Sequence, residues 1–175
     1  VLVETVGKLR DEAFNKLDSV HELKKRQLQS FIGKMSDDIA VLSKSEDVKG
    51  AYLELKAYHD DMMFVPRSNF DAATDRYRSI WNRYQDALGE YVADFGYYDI
   101  FIICKTHGHV MFTYARENDL GTNLVHGPYK REGLARLWKQ VVEQEKIGLV
   151  DFSPYAPSGG KEAMFIGAPV RDENG

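Results

Sequence analysis

The sequence predicts an α+β fold, with long helices in its first half and an antiparallel sheet in its second. Three observations carry that reading. Apolar residues recur at the α-helical period through residues 2–42, and no proline interrupts them. Three glycines and one proline precede Leu88, whereas eleven glycines and four prolines follow it, so the second half must turn often. Beyond Gly96, short runs of β-branched and aromatic residues alternate with turn residues.

The elements follow in order. Leu2, Val6, Leu9, Ala13, Leu17, Val20, Leu23, Leu28, Phe31, Met35, Ile39 and Leu42 mark one long helix. At 1.5 Å per residue it would reach about 63 Å, so part of it projects as a stalk or packs in a bundle. Its repeat is not a strict heptad, which argues against a simple two-stranded coiled coil. "SEDVKGAYLELKAYHDDM" predicts a second helix with Ser45 as its N-cap. "MFVPRSNF" is a break. Ser68 or Asn69 then caps a third helix through residue 95, with Tyr77, Ile80, Trp81, Tyr84, Leu88, Tyr91 and Val92 on one face. Tyr98–Cys104 and His109–Ala115 predict a hairpin joined by "KTHG". "REGLARLWKQVVEQEKI" predicts a further helix, and "GLVDFS" a short strand. "PYAPSGGK" is a turn-rich loop, "EAMFIGAPV" a fourth strand, and "RDENG" a turn towards one more. The change of composition divides the chain into a helical part, 1–95, and a sheet-bearing part, 96–175.

Composition limits the functions available. The net charge is −4 and the pI about 5.7, which carries no nucleic-acid footprint. No run approaches the roughly 18 apolar residues of a membrane span. The first residue is Val, as expected of an excised or processed piece. The lone Cys104 excludes an internal disulfide and reads as a buried, inert thiol. In "ENDLGTNLVHGPYKREGLARLW", Gly121 and Gly127 stand too far apart for a phosphate-cradling loop, Pro128 removes a backbone donor, and no hydroxyl residue follows Lys130. No catalytic motif is present, so neither enzymatic activity nor a cofactor is expected.

"FGYYDIFII", "GHVMFTYARENDLGTNLVHGPY" and "VDFSPYAPSGGKEAMFIGAPVRDENG" closely resemble the extracytoplasmic sensor region of bacterial methyl-accepting chemotaxis proteins. The type is the one with a long N-terminal helix and PAS-like Cache domains, and "KLDSVHELKKRQLQSFIGKMSDDIAVLSKS" resembles its leading helix. The resemblance implies long helices packed on a PAS-like sheet, a small-molecule ligand, a receptor homodimer and a periplasmic location. It places membrane spans in flanking segments, with signalling helices beyond. Similar sensors are attached to histidine kinases and cyclases. Within a double-Cache architecture this chain corresponds to the helix and the membrane-distal module. Such sheets have five strands in the order 2-1-5-4-3, and only four are legible here. The resemblance therefore implies that the last, central strand comes from a following segment or a partner chain.

By the same resemblance, "DLGTNLVHGPYK" forms a pocket wall. Tyr98, Tyr114, Tyr129, Asp151 and Tyr155 are the candidate lining, since tyrosine offers an apolar body with a hydroxyl tip. Asp151 suits an amine. Lys130, with Arg131, Arg116 and Lys105 nearby, suits a carboxylate. "DRYRSIWNRY" holds the residue types of the amino-acid-binding Cache pattern (Arg76, Arg78, Trp81, Tyr84), but at other spacing, and reads as an amphipathic helix with a solvated Arg face. His107 and His109 would share a face of a strand and suit zinc or nickel. Gly108 breaks the strand between them, and no thiol or carboxylate stands at clear ligand spacing. They read as surface histidines at a hairpin tip, with no metal.

Overall fold

The computed structural model describes residues 2–171, with side chains from Thr5 onward. Two compact units emerge, residues 1–37 and 38–175. The long helix forms as the periodicity predicts: α1 covers Leu2–Leu42 without a break. Along the first unit Val6, Leu9, Phe14, Leu17, Leu28 and Phe31 are each at least 50% exposed, whereas Met35 near its end is buried.

The second unit begins its packing with α2 (Glu46–Asp61). Ser45 caps it, accepting the Val48 N–H at 3.3 Å, and Glu46 and Asp47 set negative charge against the positive end of the helix dipole. The third helix, α3 (Asp75–Phe95), starts later than expected, with Thr74 as N-cap in place of Ser68 or Asn69. Long-range bonds hold the intervening chain out of helix. Phe70 N–H donates to the Gly121 carbonyl at 2.8 Å, and the Tyr58 hydroxyl donates to the Asp71 carbonyl at 2.7 Å. Gly96 ends α3 in the left-handed conformation at φ 73°, which a side chain disfavours.

The predicted hairpin forms with short strands, β1 (Phe101–Ile103) and β2 (Val110–Thr113). Its register shifts between Ile102 and Ile103, so that β2 carries one extra residue. The hairpin serves two cores. Ile102, Met111 and Phe112 join Leu55, Tyr58, Phe70, Tyr77 and Leu88 of the helical layer. Phe101, Ile103 and Val110 join a second cluster with Leu134 and Leu137 of α4 (Gly133–Gln144) and with Tyr155 and Phe165. The sequence division at 95/96 therefore runs through the first core.

Tyr155 and Phe165 lie on a second hairpin, β3 (Gly148–Tyr155) and β4 (Lys161–Gly167). β3 is longer than expected and runs through Pro154 and Tyr155. The expected turn-rich loop shrinks to a single 3₁₀ turn, Ala156–Ser158, followed by Gly159 and Gly160 at positive φ. The two hairpins are separate two-stranded sheets. β1 and β4 share no ladder. Their residues Phe101 and Phe165 meet through side chains, with ring centroids 6.4 Å apart. The architecture is thus α+β, with a long N-terminal helix and two small antiparallel sheets. The turn expected in "RDENG" lies beyond the described residues, apart from Arg171.

Thr74 has two tasks: it accepts the Tyr77 N–H at 3.1 Å, and its hydroxyl meets that of Tyr58 at 2.9 Å. Because Tyr58 spends its only proton on Asp71, Thr74 must donate. Thr74→Ala should therefore cost about 1–2 kcal/mol in urea unfolding, and Thr74→Ser should recover most of it.

Candidate functional site

Of the six residues proposed from sequence, the structure buries only Tyr155. Asp151 sits exposed on β3, where the register shifts, and its carboxylate accepts the neighbouring Phe152 N–H at 2.8 Å. Lys130 is exposed in the turn before α4, and Tyr129 is half-buried there. Tyr114 turns its ring onto Gly89 of α3, where a methyl group would come within 2.6 Å of it. Among the proposed cations, Lys105 pairs with Glu145 at 2.8 Å and the Arg116 guanidinium lies over the Trp81 ring at 4.5 Å. The arginines of "DRYRSIWNRY" are solvated as expected: Arg76 pairs with Asp61 and Arg78 with Asp75. Trp81 and Tyr84 instead fasten α3, donating to the Thr113 carbonyl and to Glu54.

Tyr98 and Tyr155 come together through two carboxylates that the sequence reading passed over. Asp119 is fully buried, and one of its oxygens accepts the Tyr155 hydroxyl at 2.6 Å. Two residues earlier, Glu117 accepts the Tyr98 hydroxyl at 2.6 Å and the Ser158 hydroxyl at 2.5 Å. The other oxygen of Asp119 has no hydrogen-bond partner. Burial, chiefly, pushes the Asp119 carboxyl above the usual carboxylate range and the Tyr155 hydroxyl far above its own, with Asp119 adding to the latter. Asp99 is different. Its carboxylate takes N–H bonds from Ile100, Tyr114 and Ala115 and a hydroxyl from Thr113, which makes it a brace for the hairpin base.

A second cluster forms at the tip of the first hairpin. His109 is fully buried, which corrects the expectation of surface histidines. The tip folds inwards because Gly108, at φ 73°, reverses the chain and packs beneath Trp138 and Val125. His59 comes from the last turn of α2 and is likewise buried. Its Nε2 lies 3.0 Å from His109 Nδ1 and 3.3 Å from His107 Nδ1. His109 Nε2 donates to the Ser68 carbonyl at 2.8 Å, and His59 Nδ1 faces Asp60 at 3.4 Å. Burial lowers the pKa of both His59 and His109. Cys104 is half-buried, and its sulfur accepts the His107 N–H at 3.4 Å. The inert core thiol expected from "DIFIIC" is instead on the wall of a cavity of about 160 Å³, beside Lys56, His59 and Met111. The ligating atoms of His59, Cys104 and His107 all lie within 4.8 Å of one another. The thiol missing from the sequence argument stands three residues before His107. Only the chain fold could bring in His59, 48 residues upstream.

One amide holds this arrangement. The buried Asn123 donates to the Pro66 and His107 carbonyls and accepts the Val125 and His126 N–H groups, all at 2.8–2.9 Å. Glycines leave room for this. A methyl group on Gly121 would stand 2.5 Å from the Phe70 carbonyl, and one on Gly127 would stand 2.4 Å from that of Asn123. "DLGTNLVHGP" is therefore a stitched loop, with no phosphate-cradling geometry.

The Asp119–Tyr155 pair yields a signed test. Tyr155→Phe strands a buried carboxylate oxygen and should cost about 1–3 kcal/mol at neutral pH. Because the folded chain raises the Asp119 pKa, it holds that proton more firmly than the unfolded chain does. The resulting stabilisation is present at low pH and is lost as pH rises through the raised value. Asp119→Asn keeps the acceptor for Tyr155 without the charge. Its stability should improve relative to the parent as pH rises above the ordinary aspartate value of about 4, measured by urea unfolding at each pH. Comparison with family models, with curated protein sequences and with solved structures gave no match for this chain.

Proposed function

We propose that this chain is the extracytoplasmic small-molecule-sensing module of a bacterial transmembrane chemoreceptor, with a PAS-like Cache architecture. The observation that carries the reading is the Glu117–Asp119 loop. A buried carboxylate with one oxygen bound to Tyr155 and the other unpaired is a ready acceptor for a ligand N–H. Two residues earlier in the chain, Glu117 with Tyr98 and Ser158 adds a second hydrogen-bonded polar group. The ligand best matched to two carboxylates and two phenols is a small amine or ammonium compound. A continuous helix such as α1 is a suitable element for carrying a change of packing towards a membrane. Among the described residues no helix is long and apolar enough to cross one, and the reading assigns spans to flanking segments. The same sensor attached to a histidine kinase or cyclase is the alternative output.

A second reading has its own observation. The exposed apolar residues of α1 suit a receptor homodimer, with the module acting as a scaffold that binds no ligand. Light scattering decides the helix part. A dimer that becomes monomeric in the double variant Leu17→Glu/Leu28→Glu supports association through α1, and a parent monomer at high concentration removes it.

Ligand sensing is tested by thermal shift against amines, amino acids, carboxylates and purines, with chelator present to exclude metal effects. A ligand at a hundredfold excess over Kd should add about 2.7 kcal/mol of stability. We expect the stabilising class to carry an amine and its effect to vanish in Asp119→Asn. A well-folded chain that no class stabilises, or an amine effect unchanged by Asp119→Asn, removes this assignment.

A further inference from the structure

We propose that His59, Cys104 and His107 form a zinc-binding site at the tip of the first hairpin. The two imidazole nitrogens, His59 Nε2 and His107 Nδ1, stand 3.3 Å apart. Two Zn–N bonds of ordinary length at a tetrahedral angle span about 3.3 Å. The sulfur of Cys104 falls within 4.8 Å of both. Two imidazoles and one thiol are a donor set for zinc and other borderline or soft ions, and not for calcium or magnesium.

The turn is built for the purpose. Cys104 and His107 are separated by two residues, and the turn closes when the Gly108 N–H donates to the Cys104 carbonyl at 2.9 Å. The His107 N–H points at the Cys104 sulfur and would stabilise it as a thiolate. The His107 carbonyl is fixed by Asn123.

Proton bookkeeping supplies an independent argument. The Ser68 carbonyl can only accept, so His109 carries its proton on Nε2 and leaves Nδ1 bare. In the metal-free cluster His59 must then donate to His109 from Nε2. That leaves His59 Nδ1 without a proton, facing a carboxylate oxygen of Asp60, which can also only accept. A metal ion removes the conflict. His59 shifts its proton to Nδ1, donates it to Asp60, and presents Nε2 to the metal. A ligating histidine backed by a carboxylate is the usual outer arrangement of a metal site. The bare Nδ1 of His109 stays 3.0 Å from His59 Nε2, and all three ligands line the cavity, which admits water or a small ligand as a further donor.

The site is separate from the Asp119–Tyr155 cluster, and its test does not depend on a ligand for that cluster. The metal-free, freshly reduced chain is titrated with Zn²⁺ against a chromophoric chelator, and with Co²⁺ followed by absorption. We expect one equivalent bound, a rise in melting temperature, and for cobalt a thiolate charge-transfer band with the strong visible bands of a tetrahedral ion. Cys104→Ser should abolish the charge-transfer band, and His107→Ala should weaken binding. Both sit on the half-exposed turn, so folding is checked by circular dichroism, whereas His59→Ala opens the core. Asp60→Ala should weaken binding about tenfold while leaving the cobalt spectrum in place. Uptake that persists unchanged in the double variant Cys104→Ser/His107→Ala, or a cobalt spectrum with no thiolate band, overturns the assignment in favour of scattered surface histidines such as His21 and His126. Failure of the amine screen leaves this result untouched, and failure here leaves the amine screen untouched.

Discussion

The side-chain amide of Asn123 is the constraint on which the second unit depends. An asparagine amide has two donor hydrogens and two acceptor lone pairs, and this buried one uses all four. Its bonds reach three stretches of chain distant in sequence: the connection after α2, the tip of the first hairpin, and its own loop. Backbone carbonyls of irregular segments are costly to bury unpaired, and here one side chain satisfies two of them. The same bonds fix the His107 carbonyl and that of Pro66, two residues before the Ser68 carbonyl that accepts from His109. An aspartate in this position would have no donors for Pro66 and His107. A leucine would leave all four groups stranded.

The first hairpin is short because its side chains, rather than its ladder, are its main support. Each strand sends residues into two cores, and the extra residue in β2 lets Met111 and Phe112 both face the helical layer. A hairpin of this size is marginal alone in water. Flanked by α2 and α3 on one side and by α4 with the second hairpin on the other, it becomes the shared wall of the unit. The Glu117–Asp119 loop leaves from one end of this wall, and the histidine tip lies at the other.

Much of the framework was legible in the sequence, because periodicity and turn residues act locally. The 3.6-residue repeat located α1, the serine before an acidic pair located the start of α2, and β-rich runs located the first hairpin and the two later strands. Failures came where distant bonds outweighed local preference. Ser68 and Asn69 are good caps, yet the strand-like docking of Phe70 on Gly121 postpones α3 to Thr74. Pro154 suggested a loop, but at a sheet edge a missing N–H costs little, so β3 passes through it. The candidate sites were less legible still. Asp151 and Lys130 looked available and proved exposed on the surface. Asp119 looked like one acid among many, and nothing local showed that the fold would enclose it against Tyr155. Cys104 and His107 are close in sequence, but their meaning depends on His59, which only the packing of α2 against the hairpin supplies.

Trp138 lies half-buried on α4, donating its indole N–H to the Cys104 carbonyl at 3.1 Å, with its ring against Gly108. The turn that carries Cys104 and His107 is therefore wired to an intrinsic fluorophore. The other tryptophan, Trp81, is on α3 beneath the Arg116 guanidinium, facing Phe112. The molecule thus holds two native reporters on opposite sides of the shared hairpin, one sensing the histidine tip and the other the helical core. A phenylalanine at either position would silence one and leave the other, so local rearrangement could be told from general loosening without any attached dye.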